Sequence, residues 1–144
     1  MDDLEIRLVK NKNELEQVNK IRNRVFVKEQ NVSRDLEFDG LDSEAEHVIV
    51  FFGGKPIGCA RIRINKCAKL ERIAILKEYR LKGFGKQLMK YLINYCKSKK
   101  YNEICLHSQT YIIDFYKKCG FKTRGGTFLE ADIEHVEMYM NIRS

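Results

Sequence analysis

The chain has 144 residues, 44% of them hydrophobic and 33% charged, with a formal net charge of +7. That length suits one domain, expected over residues 1–144, and leaves a second core out of reach. The composition excludes a disordered chain, and no run approaches the ~18 consecutive apolar residues of a membrane helix.

Leu4 to Val9 alternates apolar and polar residues, which predicts a strand. Leu15, Val18, Arg22 and Val25 then recur at helical spacing, with Asn13 as the expected cap. An acidic stretch follows. His47 to Phe52 and Pro56 to Ile64 flank Gly53-Gly54-Lys55, so 47–64 reads as an antiparallel hairpin. Lys69 to Leu76 predicts the next strand. Phe84, Leu88, Tyr91, Leu92, Tyr95 and Cys96 form a helical stripe with lysines opposite. Glu103 to His107 predicts a short strand. Ile112, Phe115, Tyr116 and Cys119 mark a helix stopped by Gly120. His135 to Ile142 gives a last strand, which if exposed could pair two chains as a homodimer. This order, β-α-β-β-β-α-β-α-β, implies a mixed α+β fold, with two strand–helix–strand units in the C-terminal half.

Charge is unevenly distributed. Six acids and no base lie between Asp35 and Glu46, which leaves the remaining 132 residues at +13. A basic body attracts polyanions, whether nucleic acid, anionic lipid or a phosphorylated small molecule. No aromatic-interleaved basic stripe, zinc module or clear recognition helix is visible, so no nucleic-acid partner is expected, and no membrane partner either. Five cysteines occur without any Cys-x-x-Cys, and the three histidines lack zinc-ligand spacing. Neither a disulfide framework nor a metal site is expected. Met1-Asp2-Asp3 is acidic and precedes no apolar run, so no secretory leader is expected. Reduced thiols in a cytoplasmic protein are the corresponding reading.

The most informative segment runs from Leu70 to Lys86. A strand enters a turn reading Arg80-Leu81-Lys82-Gly83-Phe84-Gly85, and a helix begins at the second glycine. Glycines let successive backbone N–H groups point inward, and a helix N-terminus adds partial positive charge. Arg80, Lys82 and Lys86 add full charges. A pyrophosphate suits such a cradle. A Walker loop needs a hydroxyl where Gln87 stands. A Rossmann fingerprint needs a small residue where Leu88 stands and an acid near Cys105. The remaining option is the pyrophosphate loop of a coenzyme A enzyme.

These residues resemble the signature of the GNAT superfamily of N-acetyltransferases. Phe115-Tyr116-Lys117-Lys118-Cys119-Gly120-Phe121 resembles that family's second motif, at a spacing that leaves room for a helix, a strand and a turn. Val25 to Gln30, Glu37-Phe38-Asp39, Glu46-His47, Leu70 to Ile73 and Phe128 to His135 are similar to the branch containing the bacterial YjcF and ElaA proteins. The resemblance implies the GNAT-type acyl-CoA N-acyltransferase fold, a mostly antiparallel sheet with a splayed parallel pair, flanked by helices. It implies acetyl-CoA as co-substrate and no metal. Ile73, Ala74 and Ile75 would meet the pantetheine arm through their backbone, and one of their N–H groups would face the thioester oxygen. Arg80, Leu81, Lys82, Gly83, Phe84, Gly85 and Lys86 would hold the pyrophosphate. Gln109 and Phe115 would complete the coenzyme site.

Tyr116 would be the general acid toward the leaving thiolate, a role its ordinary pKa of ~10 suits. An amine acceptor of pKa ~10.4 must lose a proton first. Glu71 is the leading candidate base, placed by strand alternation with Ile73 and Ile75 and opposite Arg72 and Ala74. His107 is the second candidate. The acids around Asp39 and Asp42 lie where the family's acceptor-side loop would be, which suggests a cationic amine. The function expected is acetyl transfer from coenzyme A to an amine by direct attack in a ternary complex. The alternative is a coenzyme A-binding sensor or interaction module without catalysis.

Overall fold

The structure is a computed structural model, and it describes residues 3–143. Met1, Asp2 and Ser144, the ends of the expected domain, lie outside the described residues.

Strand β1 (Leu4–Leu8) leads into helix α1 (Lys12–Arg22). Asn11, not Asn13, is the cap: its side chain accepts from the Glu14 N–H at 2.9 Å. The helix runs on without a break into a π-helical segment, Asn23–Glu29, and a short helix α2 (Arg34–Glu37) follows. Three strands come next: β2 (Glu46–Phe52), β3 (Lys55–Asn65) and β4 (Cys67–Ile75). Helix α3 (Phe84–Ser98) leads to β5 (Glu103–Gln109), α4 (Ile113–Lys118), β6 (Lys122–Glu130) and β7 (Ile133–Asn141).

All seven strands form one sheet in the order β1-β2-β3-β4-β5-β7-β6. Only the β4–β5 pair is parallel. The fold class matches the expected mixed sheet, with two corrections. First, the second of the two expected strand–helix–strand units, β5-α4-β6, ends in a strand the sequence did not announce, and β7 lies between its two strands, so they run the same way without pairing. The missed strand, β6, contains Gly125-Gly126 and is almost wholly exposed, so it lacks the apolar alternation that announces a strand. Second, the C-terminal strand β7 is paired on both sides, by β5 and β6. It is not a free edge for a second chain; the edges are β1 and β6.

The sheet separates two cores. Val48, Val50, Ile62, Leu70, Ile104, Leu106 and Met138 pack against Leu88, Met89 and Leu92 of α3 and Tyr116 of α4. On the other face Ile49, Cys59 and Ala74 pack against Val18, Ile21 and Val25. Full burial of each such side chain contributes roughly 1.5–3 kcal/mol, so the two faces fix the strands between α1 and α3. No helix among the described residues is long and apolar enough to cross a membrane.

Candidate active site

The parallel pair is short. β4 and β5 are in register only from Ala68↔Ile104 to Leu70↔Leu106. Beyond Leu70 they part, while β4 stays paired to β3 as far as Ile75↔Gly58. Gly58 allows this: a Cβ there would lie 2.8 Å from the Ala74 carbonyl oxygen and 2.7 Å from Ile75 Cδ1. A bulge marks the parting. Arg61 faces Glu71 and Cys59 faces Ala74, so Arg72 and Ile73 together oppose Ala60, and Arg72 takes a positive φ of 54°. The extra residue breaks the alternation that placed Glu71 with Ile73 and Ile75. Glu71 points with Arg61 to the α1 face, the side where Ala74 is buried, while Ile73 and Ile75 pack on the α3 face.

A cleft of about 410 Å³ fills the gap between the strands. Ile73, Leu106, Ile112 and Tyr116 line it together with Phe26, Gln30 and Leu36 and Glu37 of α2. Tyr116 is 7% exposed, and burial holds its phenol well above its ordinary pKa. It therefore stays protonated, able to donate. Its ring packs edge-on against Phe115, centroids 5.1 Å apart. Gln109 lines the cleft and donates to the Gln30 side chain at 3.0 Å, bridging the end of β5 to the end of the π-helical segment.

The glycine turn has the geometry of a cradle. Leu81 and Gly83 both take positive φ, 63° and 83°, and Gly83 is the N-cap of α3 with no side chain capping the first turn. The N–H groups of that turn are thus left to an outside acceptor. Lys82 and Lys86 are exposed beside it. Phe84 is buried beneath it, and a Cβ on Gly85 would meet only the Phe115 ring, at 3.6 Å. Arg80 behaves differently from the expectation. Its guanidinium donates to both Glu29 oxygens, at 2.6 and 3.0 Å, and to the Ile75 carbonyl at 2.8 Å. It ties the loop to the π-helical segment instead of standing as a free charge.

The acidic stretch is also engaged. Arg22 bonds Glu37 and Asp42, each at 2.8 Å. Arg61 bonds Asp42 and Asp39, each at 2.9 Å. Arg72 bonds Asp39 at 3.3 Å and Glu37 at 3.0 Å. Three arginines and three acids close a ring, and Arg22 and Arg61 are buried at 0% and 1% exposure. Arg61 holds the Asp39 carboxyl well below its usual range, whereas burial outweighs the arginines at Glu37 and pushes it up. Glu71 extends the ring: Arg61 at 3.0 Å, Arg63 at 3.0 Å and Lys69 at 3.4 Å surround it. Burial raises the Glu71 pKa, but these cations more than offset that and hold it below the ordinary carboxylate value.

Sequence reasoning missed a second cluster. His107 Nδ1 lies 3.0 Å from Glu130 Oε1, and His135 Nε2 lies 3.6 Å from Glu130 Oε2. All three line the cleft. Phe128 sets the rings, edge-on to His107 and stacked on His135. Glu130 reaches the site because β6 and β7 are joined by a two-residue turn, Ala131-Asp132, with φ of 52° and 61°. The turn lacks the glycine that would have signalled it.

The cysteines also depart from expectation. Cys67 and Cys105, on the parting strands, are joined as a disulfide with Cα atoms 6.1 Å apart, while Cys59, Cys96 and Cys119 are free. Their separation of 38 residues gave no hint, because parallel pairing alone brings them together. Among the described residues no three side chains of His, Cys, Asp or Glu converge as metal ligands.

The family model described as the acetyltransferase (GNAT) domain matches residues 9–142. The chain belongs to the GNAT acetyltransferase family. The chain is 39% identical over 133 residues to a protein of Bacillus subtilis (strain 168) named as the uncharacterized N-acetyltransferase YjcF, covering 91% of this chain and 95% of that one. The crystal structure of Escherichia coli ElaA superposes with a TM-score of 0.81 at 22% identity, covering 100% of both chains. A Bacillus subtilis acetyltransferase solved in complex with CoA superposes with a TM-score of 0.75 at 19% identity, covering 96% of this chain and 99% of that one. The branch read from the sequence is therefore correct, and this GNAT protein is an acetyltransferase.

Proposed function

We propose that this GNAT protein transfers an acetyl group from acetyl-CoA to an amine by direct attack in a ternary complex. One observation carries the reading: a single cleft fills the gap between β4 and β5 and is lined both by Tyr116 and by residues of α2, so two substrates can meet in it. The complex of its fold neighbour with CoA supports the choice of coenzyme.

The residues present fit that coenzyme. The backbone of Ile73, Ala74 and Ile75 has no β5 partner and offers N–H and C=O groups to an extended amide arm. An N–H in this stretch would stabilise the oxyanion as the thioester is attacked. The turn from Arg80 to Lys86 would hold the pyrophosphate through the open N–H groups at Gly83, Phe84 and Gly85, with Leu81 shaping the turn and Lys82 and Lys86 adding charge. Arg80 would keep the loop in place. Phe115 would floor the cradle, and Gln109 would reach the arm from β5. When bound, acetyl-CoA supplies an activated acyl carbon and a thiolate leaving group. Tyr116 would give that thiolate its proton.

Glu71 is poorly suited to be the base, because Arg61, Arg63 and Lys69 stabilise its carboxylate. Asp39 and Asp42 are held by arginines, so the acidic stretch no longer argues for a cationic acceptor, and the acceptor class is an amine.

The test is a thermal-unfolding titration with acetyl-CoA on the wild type and on Gly85→Glu. Gly85 has room for a Cβ, so the variant should fold while its carboxylate repels phosphate. At 100 times its dissociation constant a ligand stabilises by ~2.7 kcal/mol, a rise of roughly 5–10 °C for a domain this size. A rise in the wild type that vanishes in the variant supports the reading. No rise in folded wild-type protein at saturating acetyl-CoA overturns it.

A further inference from the structure

We infer that His107, held by Glu130 and backed by His135, takes the proton from the acceptor amine. The inference rests on the acetyl-transfer reading above. Three independent placements lead to it.

The first is position. His107 follows Leu106, the last β5 residue in register with β4, so it stands where the strands begin to part. Across the gap stands Glu71, the first β4 residue past the pairing. The attacking nitrogen must arrive at this apex to reach an acyl carbon lying between the strands. The carboxylate there is committed to three cations. The imidazole is not.

The second is orientation. Glu130 accepts from His107 Nδ1 at 3.0 Å, which leaves Nε2 as the lone pair. The nearest acid to that nitrogen, Glu137 Oε1, is 3.9 Å away, beyond hydrogen-bond reach. Glu130 thus does two things: it fixes the ring, and it stabilises the imidazolium that forms. His135 is fixed too, since its Nδ1 faces the Ile133 carbonyl oxygen at 2.6 Å, a pure acceptor. Its Nε2 lies 3.6 Å from the other Glu130 oxygen, outside hydrogen-bond reach, so His135 flanks the carboxylate without bonding it. The arrangement is a pair of imidazole and carboxylate, with Phe128 against the rings of His107 and His135.

The third is access. His107, Glu130 and His135 share the cleft with Tyr116, so the base and the acid serve one reacting carbon. The step then balances. The amine nitrogen bonds to the acyl carbon and the C–S bond breaks. The ammonium first gives one proton to His107 Nε2, which releases it to water; once the freed nitrogen has attacked, its second proton goes to the same Nε2. The thiolate takes the proton of Tyr116, which is restored through water from the imidazolium. An alkylamine is protonated at neutral pH, so a base must free its nitrogen before attack. Other charged groups face the imidazole: Lys69 and Glu71 from β4, Glu130 from β6, His135 and Glu137 from β7, and Glu37 across the cleft.

The test compares ethylamine with hydroxylamine as acceptors, at high concentration with saturating acetyl-CoA. Hydroxylamine is largely unprotonated at neutral pH and needs no base to free its lone pair. His107→Gln should lower kcat with ethylamine by about 10²- to 10⁴-fold, lower it less than about tenfold with hydroxylamine, and leave the acetyl-CoA thermal shift intact. Glu130→Gln should move the ionisation in the wild-type pH–rate profile to lower pH, because an imidazolium without its carboxylate gives up its proton sooner. Equal losses with both acceptors in folded His107→Gln protein would overturn the assignment, as would a loss in Glu71→Gln that matches the His107→Gln loss. So would a wild-type protein that binds acetyl-CoA yet turns over no ethylamine. A missing thermal shift in the wild type would instead sink the acetyl-transfer reading itself.

Discussion

The two sides of the proposed site are built by different means. The side proposed for the coenzyme is backbone: the open N–H groups at the start of α3, and a β4 edge released from β5 by a bulge. The side proposed for the acceptor is made of side chains, the ring of Arg22, Arg61 and Arg72 with Glu37, Asp39 and Asp42, and the His107–Glu130–His135 cluster. Backbone sites tolerate sequence change wherever φ and burial are kept. Side-chain networks fail when one member goes. One fold can therefore keep its acyl donor while its acceptor side is rebuilt around other amines.

The largest effect expected is on the ring. Arg61 is 1% exposed and partners Asp39, Asp42 and Glu71 at once. Arg61→Met should cost about 3–5 kcal/mol, because breaking a buried pair from one side leaves uncompensated charge. That is a fall of roughly 10 °C or more in Tm. Arg63→Met leaves Glu71 with Arg61 and Lys69 and should cost under about 1 kcal/mol. Thermal unfolding of the pair measures the contrast. Similar losses in both would mean that the ring is no more cooperative than a surface pair, and the distinction between the two sides would go with it.

The second effect separates activity from stability at the coenzyme side. Tyr116→Phe should lower kcat about a hundredfold, the low end for a lost general acid. It should not lower Tm, because the phenol makes no side-chain hydrogen bond among the described residues and its burial already raises its pKa. Removing a hydroxyl that faces the cleft and bonds no protein group is near neutral. Single-turnover kinetics beside calorimetry would check both halves. An unchanged kcat would reassign Tyr116 to packing against Phe115 and Phe121.

These two sides differed equally in how well they could be read from the sequence. The glycine turn, the helix after it and the Phe115–Phe121 run are each contiguous, so local rules on glycine, capping and periodicity located them. The hairpin over 47–64 and the stripe on α3 were legible for the same reason. The ring was not, because Arg22 and Asp42 are 20 residues apart and Arg72 and Glu37 are 35 apart. Only the folded sheet brings them together, so the acids looked free. Glu71 was assigned to the wrong face because the bulge at Arg72 carries no glycine. Glu130 was missed because its turn uses Ala131 and Asp132 at positive φ, where a glycine would have been the signal. For Glu71 and Glu130 the deciding event was a backbone irregularity at a residue that is not glycine.

The smallest effect tests whether the ring's strength comes from burial or from charge alone. Arg7 on β1 and Glu14 on α1 make the same chemical contact with one partner buried, Glu14 at 9% exposure, and Arg7 left partly open to water. The Arg7 guanidinium donates to both Glu14 oxygens, at 2.8 and 2.6 Å, and the Lys10 N–H adds a third bond at 2.9 Å. Led by the Arg7 hydrogen bonds, these contacts hold the Glu14 carboxyl down to about 2. A carboxyl depressed in the folded state adds stability above its unfolded pKa and loses it as pH falls through the folded value. The stability gap between wild type and Glu14→Gln should therefore be constant from neutral pH down to about 5, then close between about 5 and 2. Chemical denaturation at several pH values measures it, and the gap at neutral pH should be far below the Arg61→Met loss. A gap that persists at pH 2 would show that Glu14 acts through its cap-side hydrogen bonds and not its charge. A gap as large as that of Arg61→Met would show that a pair with only its carboxylate buried is as strong as the ring, and that burial of the arginine adds nothing.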